Sequence, residues 1–186
     1  KYIWRLSMTS IIKVDQIQDS TGGSAINMGA GSIVQTQVAL FEAGNAHISV
    51  ASQTSTIMNN ANAGNIEIAI TPKFNNSKIL VTLNSSMVFY VSGKDYVWEL
   101  YRDSTALVTY SSDYSVPNYY AWVYFFDGTS GGISNYHDVE AKFIDTPNTT
   151  SQVTYKGYHR GGNNSTAAYA CHQGGQMVMT ATEIKV

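Results

Sequence analysis

Apolar and polar residues alternate along three neighbouring stretches of this sequence. Isoleucine fills every second position from Ile66 to Ile70, which is the period-two pattern of a strand with one buried face. Pro72 ends that stretch because it has no N–H to donate to a sheet. The alternation returns at 79–83 and, after the polar residues 84–86, again at 87–91. We predict three strands joined by short turns, which need a second layer to cover their apolar side.

The rest of the chain supplies that layer. Strands are predicted at 33–41, 47–51, 96–102, 106–110, 119–126, 137–144, 153–158, 169–171 and 176–186, and a polar loop at 53–64. The run from Tyr119 to Phe126 is apolar on both faces, as in a strand that is covered on both sides. Turn residues at this spacing, without a helical period, predict an all-β fold: an antiparallel β-sandwich, jelly-roll-like.

The first part of the chain has a different character. Residues 1–31 contain glycine-rich, irregular sequence without a core of its own, which is typical of a segment that is either disordered or ordered by neighbouring chains. Lys1 to Ser7 precede Met8 and have the opening charge of a signal peptide but not its long apolar region. We therefore predict an N-terminal attachment segment at 1–31 and a β-sandwich domain at 32–186.

The composition restricts the partners. Only 13% of the residues are charged, whereas 12% are aromatic; the charged share is about half of the usual one. The net charge of −2 gives no electrostatic case for nucleic acid or an anionic membrane. No apolar run approaches the roughly 20 residues that span a bilayer, so we predict no membrane insertion. The single cysteine, Cys171, excludes a disulfide within the chain.

Motifs for metal or cofactor chemistry are weak. The run from His137 to Glu140 contains three metal-ligating residue types, but Asp138 and Glu140 share one face of a strand and His137 points to the other. His159 and His172 flank a Gly/Asn-rich loop without a third ligand, so they are predicted as exposed polar loop residues. The glycine pairs of that loop have no strand-to-helix context for a phosphate. We predict no metal and no cofactor.

An enzyme that degrades glycans would need two carboxylates facing one cleft. The possible donors are Glu99, Asp113, Asp138 and Glu140, and their spacing does not support such a pair. No G-x-S-x-G nucleophile motif is present either. The sequence therefore favours a protein that is not an enzyme.

Five segments carry a resemblance to a known group of proteins. They are MTSIIKVDQIQDSTGGSAINM, ITPKFNNSKILVTL, YRDSTALV, IDTPNTTSQVTYK and VMTATEIKV, in this order between Met8 and Val186. Together they resemble small structural proteins that marine tailed bacteriophages encode as fibres or fibre tips. The resemblance implies a virion protein, assembled in the host cytoplasm, with an N-terminal attachment segment that binds other virion proteins. It also implies a C-terminal β-domain and a homotrimer.

Two long loops are the predicted binding surface. They span Ser111 to Asn118 and His159 to Gly175, and loops of a sandwich commonly carry recognition. Their aromatic, Asn, His and Arg side chains suit a neutral host-surface polysaccharide, or a host protein. The candidate ligand-binding residues are Tyr114, Tyr119, His159, Arg160, Asn163, Asn164, Tyr169 and His172. The same aromatic residues equally suit subunit interfaces, so the alternative is a capsid decoration or head-fibre protein that binds only other virion subunits.

Overall fold

The structure is a computed structural model that describes residues 29–42, 48, 54–60, 64–91, 96–109, 122–125, 134–161, 168–169 and 175–186. All thirteen elements in these ranges are strands. They are β1 (Ile33–Glu42), β2 (Thr56–Ile57), β3 (Asn59–Asn60), β4 (Gly64–Asn65), β5 (Glu67–Ile70), β6 (Lys78–Val91), β7 (Tyr96–Arg102), β8 (Thr105–Val108), β9 (Val123–Phe125), β10 (Ser134–Asp145), β11 (Val153–Gly161), β12 (Ala168–Tyr169) and β13 (Gln176–Ile184). No helix in the described ranges is long and apolar enough to cross a membrane.

The strands form two main sheets. The first sheet has the order β1-β13-β6-β10, and β12 pairs with β6 beyond the end of β13. The second sheet has the order β2-β11-β7-β8, with β5 also beside β11 and β9 also beside β7. Every described pair is antiparallel. The predicted all-β antiparallel sandwich is confirmed.

The core lies between the two sheets because alternate residues of each strand point inward. The first sheet contributes Ile79, Val81 and Leu83 from β6 and Met177, Met179 and Ala181 from β13. The second sheet contributes the aromatic rings of Tyr96, Trp98 and Tyr155 together with aliphatic side chains such as Ile68, Ile70 and Leu100. Gly157 faces the same core, and a Cβ there would lie 3.4 Å from side-chain atoms of both Leu83 and Met58. These contacts fill the space that the missing side chain leaves.

The predicted break at 84–86 is wrong, because β6 runs without interruption from Lys78 to Val91. Ser85 faces inward and is only 2% exposed. Ser86 faces outward, and its hydroxyl accepts from the backbone N–H of Gln176 at 2.9 Å and donates to the Gln176 carbonyl at 3.2 Å. Strands on both sides pair with this polar stretch, so backbone pairing overrides the local turn composition.

The predicted polar loop at 53–64 is also wrong in part. Thr56 and Ile57 pair with β11, and Met58 is fully buried. The backbone N–H of Met58 donates to the Gly157 carbonyl at 2.9 Å, and the N–H of Ile66 donates to the Met58 carbonyl at 2.9 Å. One buried methionine in an Asn-rich stretch produces no alternation, so the sequence does not show this edge of the second sheet.

Other predictions fall on residues that are not described. These include residues 1–28 of the attachment segment, all but Ile48 of the strand at 47–51, and residues 119–121 of the aromatic strand. Ile48 is buried, with 2% exposure. The division into an attachment segment and a β-domain therefore stays a prediction.

A buried carboxylate closes one end of the sandwich, which we call the basal end: β6 begins there and β10 and β13 end there. Glu183 is fully buried on the inner face of β13. It accepts four hydrogen bonds, from Gln35 Nε2 (2.7 Å), Lys73 N (2.8 Å), Phe74 N (3.1 Å) and Ser77 Oγ (2.7 Å). Burial alone would raise the pKa of Glu183, but these hydrogen bonds outweigh it and hold the pKa below its usual value.

A second polar cluster joins the two sheets at the basal end. Asp145 on β10 accepts from Arg102 Nη1 on β7 at 2.7 Å and from the Tyr155 hydroxyl on β11 at 2.8 Å. Burial, together with the bond to Asp145, raises the pKa of Tyr155 far above its usual value. Next to it, Asp103 adopts a positive φ of 53° in the β7–β8 turn, and its carboxylate accepts from the Thr154 N–H at 2.9 Å. These bonds set the register of the second sheet.

Candidate functional site

The eight predicted ligand-binding residues have different positions relative to the described structure. Tyr114, Tyr119, Asn163, Asn164 and His172 lie outside the described residues. The backbone of Tyr169 is in β12, opposite Phe89 of β6. His159 and Arg160 are both in β11, where they point to opposite faces of the second sheet.

His159 does not lie in an exposed loop, so that prediction is wrong. The strand that was predicted to end at Tyr158 continues to Gly161, which places the imidazole inside the sandwich with 3% exposure. The Tyr96 hydroxyl lies 3.3 Å from His159 Nδ1, and the two rings meet edge to face. Burial lowers the pKa of His159 to about 4, so the ring is neutral at pH 7. The buried ring of His159 is therefore not accessible to a ligand at the surface of the sheet.

Arg160 lies on the outer face of the second sheet, among residues that the binding prediction did not include. On β11 this face carries Tyr158 and Arg160, because Tyr155, Gly157 and His159 face inward. On β7 it carries Glu99 and Tyr101, because Trp98 and Leu100 face inward. Tyr158 lies directly opposite Glu99, and Lys156 lies opposite Tyr101. We call Glu99, Tyr101, Tyr158 and Arg160 the tyrosine face.

The two tyrosine rings of this face stack on each other. The ring centroids of Tyr101 and Tyr158 are 4.1 Å apart with an angle of 29° between the planes. They belong to diagonal positions on neighbouring strands, which aromatic side chains can bridge. Both residues are half-buried, so part of the stacked pair remains accessible to solvent.

Charged groups surround the stacked pair. Burial and then the Glu99 charge raise the pKa of Tyr101, while a hydrogen bond with Ser55 and the charge of Arg160 act in the opposite direction. Glu99 is only 1% exposed, whereas Arg160 is half-buried. The face therefore has two half-buried tyrosines and a half-buried arginine beside a buried carboxylate. These groups suit the apolar faces and hydroxyls of sugar rings.

The two predicted binding loops are anchored near the tyrosine face. The first follows β8, whose Val108 lies opposite Leu100, and returns at Val123, opposite Trp98. The second follows Gly161, opposite Tyr96. Val123, where the first loop returns, and Gly161, where the second loop begins, thus lie on opposite sides of β7. Each is one strand away from β7, and their positions along β7 differ by two residues. Strand spacing puts them roughly 10 Å apart.

Among the described carboxylates that were predicted as possible donors, Asp138 and Glu140 share one shallow groove, whereas Glu99 lies on the other sheet. Asp138 and Glu140 are exposed on the outer face of the first sheet, where Glu140 pairs with Lys142 at 2.7 Å. Asp138 and Glu140 both line a shallow groove of about 340 Å³ between β6 and β10. Glu99 lies on the outer face of the other sheet, and Asp113 lies outside the described residues. In the described ranges, no three His, Cys, Asp or Glu residues are grouped to hold a metal ion.

The sequence contains a partial signal for the tyrosine face. Alternation along residues 96–102 already separates Glu99 and Tyr101 from the inward-facing aromatic residues. The pairing that brings Tyr158 onto Tyr101 joins residues 57 positions apart in the chain, and alternation within each strand carries no information about register. The stacked pair could not be found without the structure.

Comparisons with known proteins give only distant likeness. No protein-family model matches the chain, and no curated protein matches it either. Among solved structures, the VP2 subviral particle of infectious bursal disease virus is similar with a TM-score of 0.42 and 10% identity, over 92% of this chain and 37% of that chain. A mutant VP2 of the same virus in T=1 particles gives a TM-score of 0.40 and 11% identity, over 94% and 40%. This chain thus spans about two fifths of those proteins, and likeness of this degree carries no argument about function.

Proposed function

We propose that this chain is a non-enzymatic structural protein of a virus particle that attaches to host-surface polysaccharide through the tyrosine face and the two loops anchored beside it. The observation that carries the attachment role is the stacked pair of Tyr101 and Tyr158 beside Arg160, on the outside of a rigid sheet. The virion role rests on the resemblance of five segments to phage fibre proteins. The loops would add Tyr114, Tyr119, Asn163, Asn164, Tyr169 and His172 to the contact surface.

The position of the site on strands favours a preorganised contact. Tyr101 and Tyr158 are held by the pairing of β7 with β11, so little conformational entropy is lost when a ligand binds. Each contact of this kind is weak, and several copies on one particle would strengthen attachment by avidity, by about 10²–10⁴. A surface with little net charge suits neutral polysaccharide better than phosphate-rich polymers.

A second candidate function is favoured by a specific observation on the other sheet. Val38 and Leu40 on β1 are 65% and 55% exposed, which is typical of a surface that another protein covers. A decoration or head-fibre protein that contacts only virion subunits would use such a surface without any glycan site. Loss or retention of glycan binding separates the two functions.

Tyr158→Ala is expected to weaken polysaccharide binding by about tenfold or more, the loss typical of a truncated contact aromatic. Arg160→Gln should weaken it as well, while Tyr158→Phe keeps the stacked ring and should retain most of the affinity. The measurement is a glycan array of neutral and anionic bacterial polysaccharides, followed by calorimetric titration of the glycan that binds best. Ile144→Ala, on the outer face of the first sheet, is the control that should bind as the wild type does.

Equal binding by the wild type, Tyr158→Ala and Arg160→Gln, at unchanged melting temperatures, would show that the tyrosine face is not the receptor site. Tyr114→Ala and Tyr169→Ala would then test the loops separately. A wild-type protein that incorporates into particles but binds no glycan would favour the decoration function.

A further inference from the structure

Among the residues that the structure describes, one edge of the first sheet is unpaired and apolar. β1 is ten residues long, and within the described residues it pairs only with β13. Every second residue of an edge strand directs its N–H and C=O away from its partner, so these groups are available to another strand. Ile33, Val38 and Leu40 are 62%, 65% and 55% exposed on this strand.

β1 lacks the features that normally protect an edge strand. Proteins discourage edge pairing with charged side chains, prolines and bulges. From Ile33 to Phe41 the strand reads IVQTQVALF, with no charge and no proline. Its one irregularity lies at the start, between Ile33 and Gln35. The residues from Thr36 to Glu42 pair with β13 in unbroken register, so they form a regular template for another strand.

The opposite edge of the same sheet is protected. β10 carries exposed Asp138, Glu140 and Lys142 on the outer face, and its register shifts between His137 and Val139. β1 has no such charges before Glu42, and its own irregularity lies at the start of the strand and not within it. Of the two described edges of the first sheet, β1 is therefore the one suited to association.

We propose that β1 pairs antiparallel with β1 of a second copy of this chain, which joins the two first sheets into one continuous sheet. Pairing centred on Ala39 places Val38 opposite the partner's Leu40, and Leu40 opposite the partner's Val38. Thr36 then lies opposite the partner's Glu42. Val38 and Leu40, which are exposed in one copy, thus cover their counterparts in the other, which is the self-complementarity that a two-fold contact requires.

This pairing also avoids like-charge contact. Glu42 is the only charged residue of β1, and the two Glu42 residues would be six positions apart along the paired strands. At about 3.4 Å per residue this is roughly 20 Å, beyond the Debye length of about 10 Å at 0.1 M salt. A contact between β1 and the β10 edge of another copy would instead place charged residues against Val38 and Leu40. The chemistry of the edges therefore favours a closed pair of copies over a ring or a filament built from unlike edges.

Substitution at the edge tests the pairing. The wild type is expected to sediment as twice 20.3 kDa at micromolar concentration, or as a multiple of that pair. Leu40→Lys should raise the dissociation constant at least tenfold because it places two ammonium groups in the paired edge. Ile144→Lys is the matched control, since Ile144 is 57% exposed on the same outer face but at the protected edge. A monomeric wild type, or equal dissociation by Leu40→Lys and Ile144→Lys at unchanged melting temperatures, would overturn the proposal.

Cysteine cross-linking tests the register and separates this contact from the trimer that the family resemblance implies. In a Cys171→Ser background, mixed Val38→Cys and Leu40→Cys proteins should form a disulfide under mild oxidation, because directly opposite residues approach within reach of one. A mixture of Leu40→Cys and Ile144→Cys should not. A cross-link in the second mixture but not in the first would show that unlike edges meet, and a species of three times 20.3 kDa without the first cross-link would also refute the two-fold pairing.

Discussion

Glu183→Ala is expected to lower the free energy of unfolding by roughly 3 kcal/mol or more. The carboxylate is fully buried and accepts hydrogen bonds from Ser77, Gln35 and two backbone N–H groups of the 71–77 turn. Hydrogen bonds to a charged group contribute about 1.5–3 kcal/mol each, and truncation leaves their donors unsatisfied. The turn would lose its attachment to β13, and the basal end would open to water.

Glu183→Gln is the matched control for this prediction. Its carbonyl oxygen can still accept from Ser77 and the turn, but its amide nitrogen faces Gln35 Nε2, which also donates to the Thr71 carbonyl at 2.7 Å. We expect a loss clearly smaller than that of Glu183→Ala. Urea unfolding followed by circular dichroism measures both variants, with an unchanged m-value showing that only stability has changed. Similar urea midpoints for Glu183→Ala and the wild type would mean that solvent replaces the hydrogen bonds of the carboxylate without loss of stability.

The fold was predictable where one face of a strand is buried. β5, the first half of β6, β7 and β13 follow the alternation in the sequence, because each places every second side chain in the core. The predicted strand bounds are wrong where polar side chains are buried in the core. Ser85 and His159 are buried in strands, although each resembles a turn or loop residue in isolation. Their positions depend on neighbouring strands, and local composition does not report those neighbours.

The register of the sandwich was not predictable from alternation. Asp145 meets Arg102 and Tyr155 across two sheets, and a shift of any of these strands by one residue would turn its side chains to the other face. The tyrosine face was not predictable for the same reason, because the stacking of its two rings depends on the register between β7 and β11. The sequence indicates which side chains are outside but not which of them meet.

The segments that resemble phage fibre proteins coincide with the polar clusters of the basal end. YRDSTALV contains Arg102 and Asp103, IDTPNTTSQVTYK contains Asp145 and Tyr155, and VMTATEIKV contains Glu183. These residues hold turns and sheets together through the hydrogen bonds described above. Tyr158, Arg160 and the two predicted loops lie outside the five segments, and Tyr101 is the residue of the stacked pair that lies inside one. The resemblance therefore concerns mainly the residues that build the sandwich, and it contains little information on the receptor.

Stability is expected to fall as the pH decreases from about 6.5 toward 4, and His159 is the cause. Burial lowers the pKa of this imidazole from 6.5 to about 4 in the folded protein. The unfolded chain therefore takes up the proton first as the pH falls, and the equilibrium shifts toward it. At 1.36 kcal/mol per pKa unit, the loss reaches roughly 3 kcal/mol by pH 4. Above pH 6.5 both states are neutral at this residue and the contribution is complete.

His159→Gln tests this expectation, because glutamine can still hydrogen-bond the Tyr96 hydroxyl but has no proton to gain in this range. The variant is expected to be less stable at pH 7, and its stability should change less between pH 6.5 and 4.5 than that of the wild type. The titration of Glu183 contributes little to the change in stability between pH 6.5 and 4.5. Its pKa is lowered from 4.5 in the folded protein, so its contribution is lost only as the pH falls below about 4.5, where the unfolded chain takes up the proton first. Urea midpoints at a series of pH values give both curves. Parallel curves for the wild type and His159→Gln would show that the buried imidazole does not control the acid response.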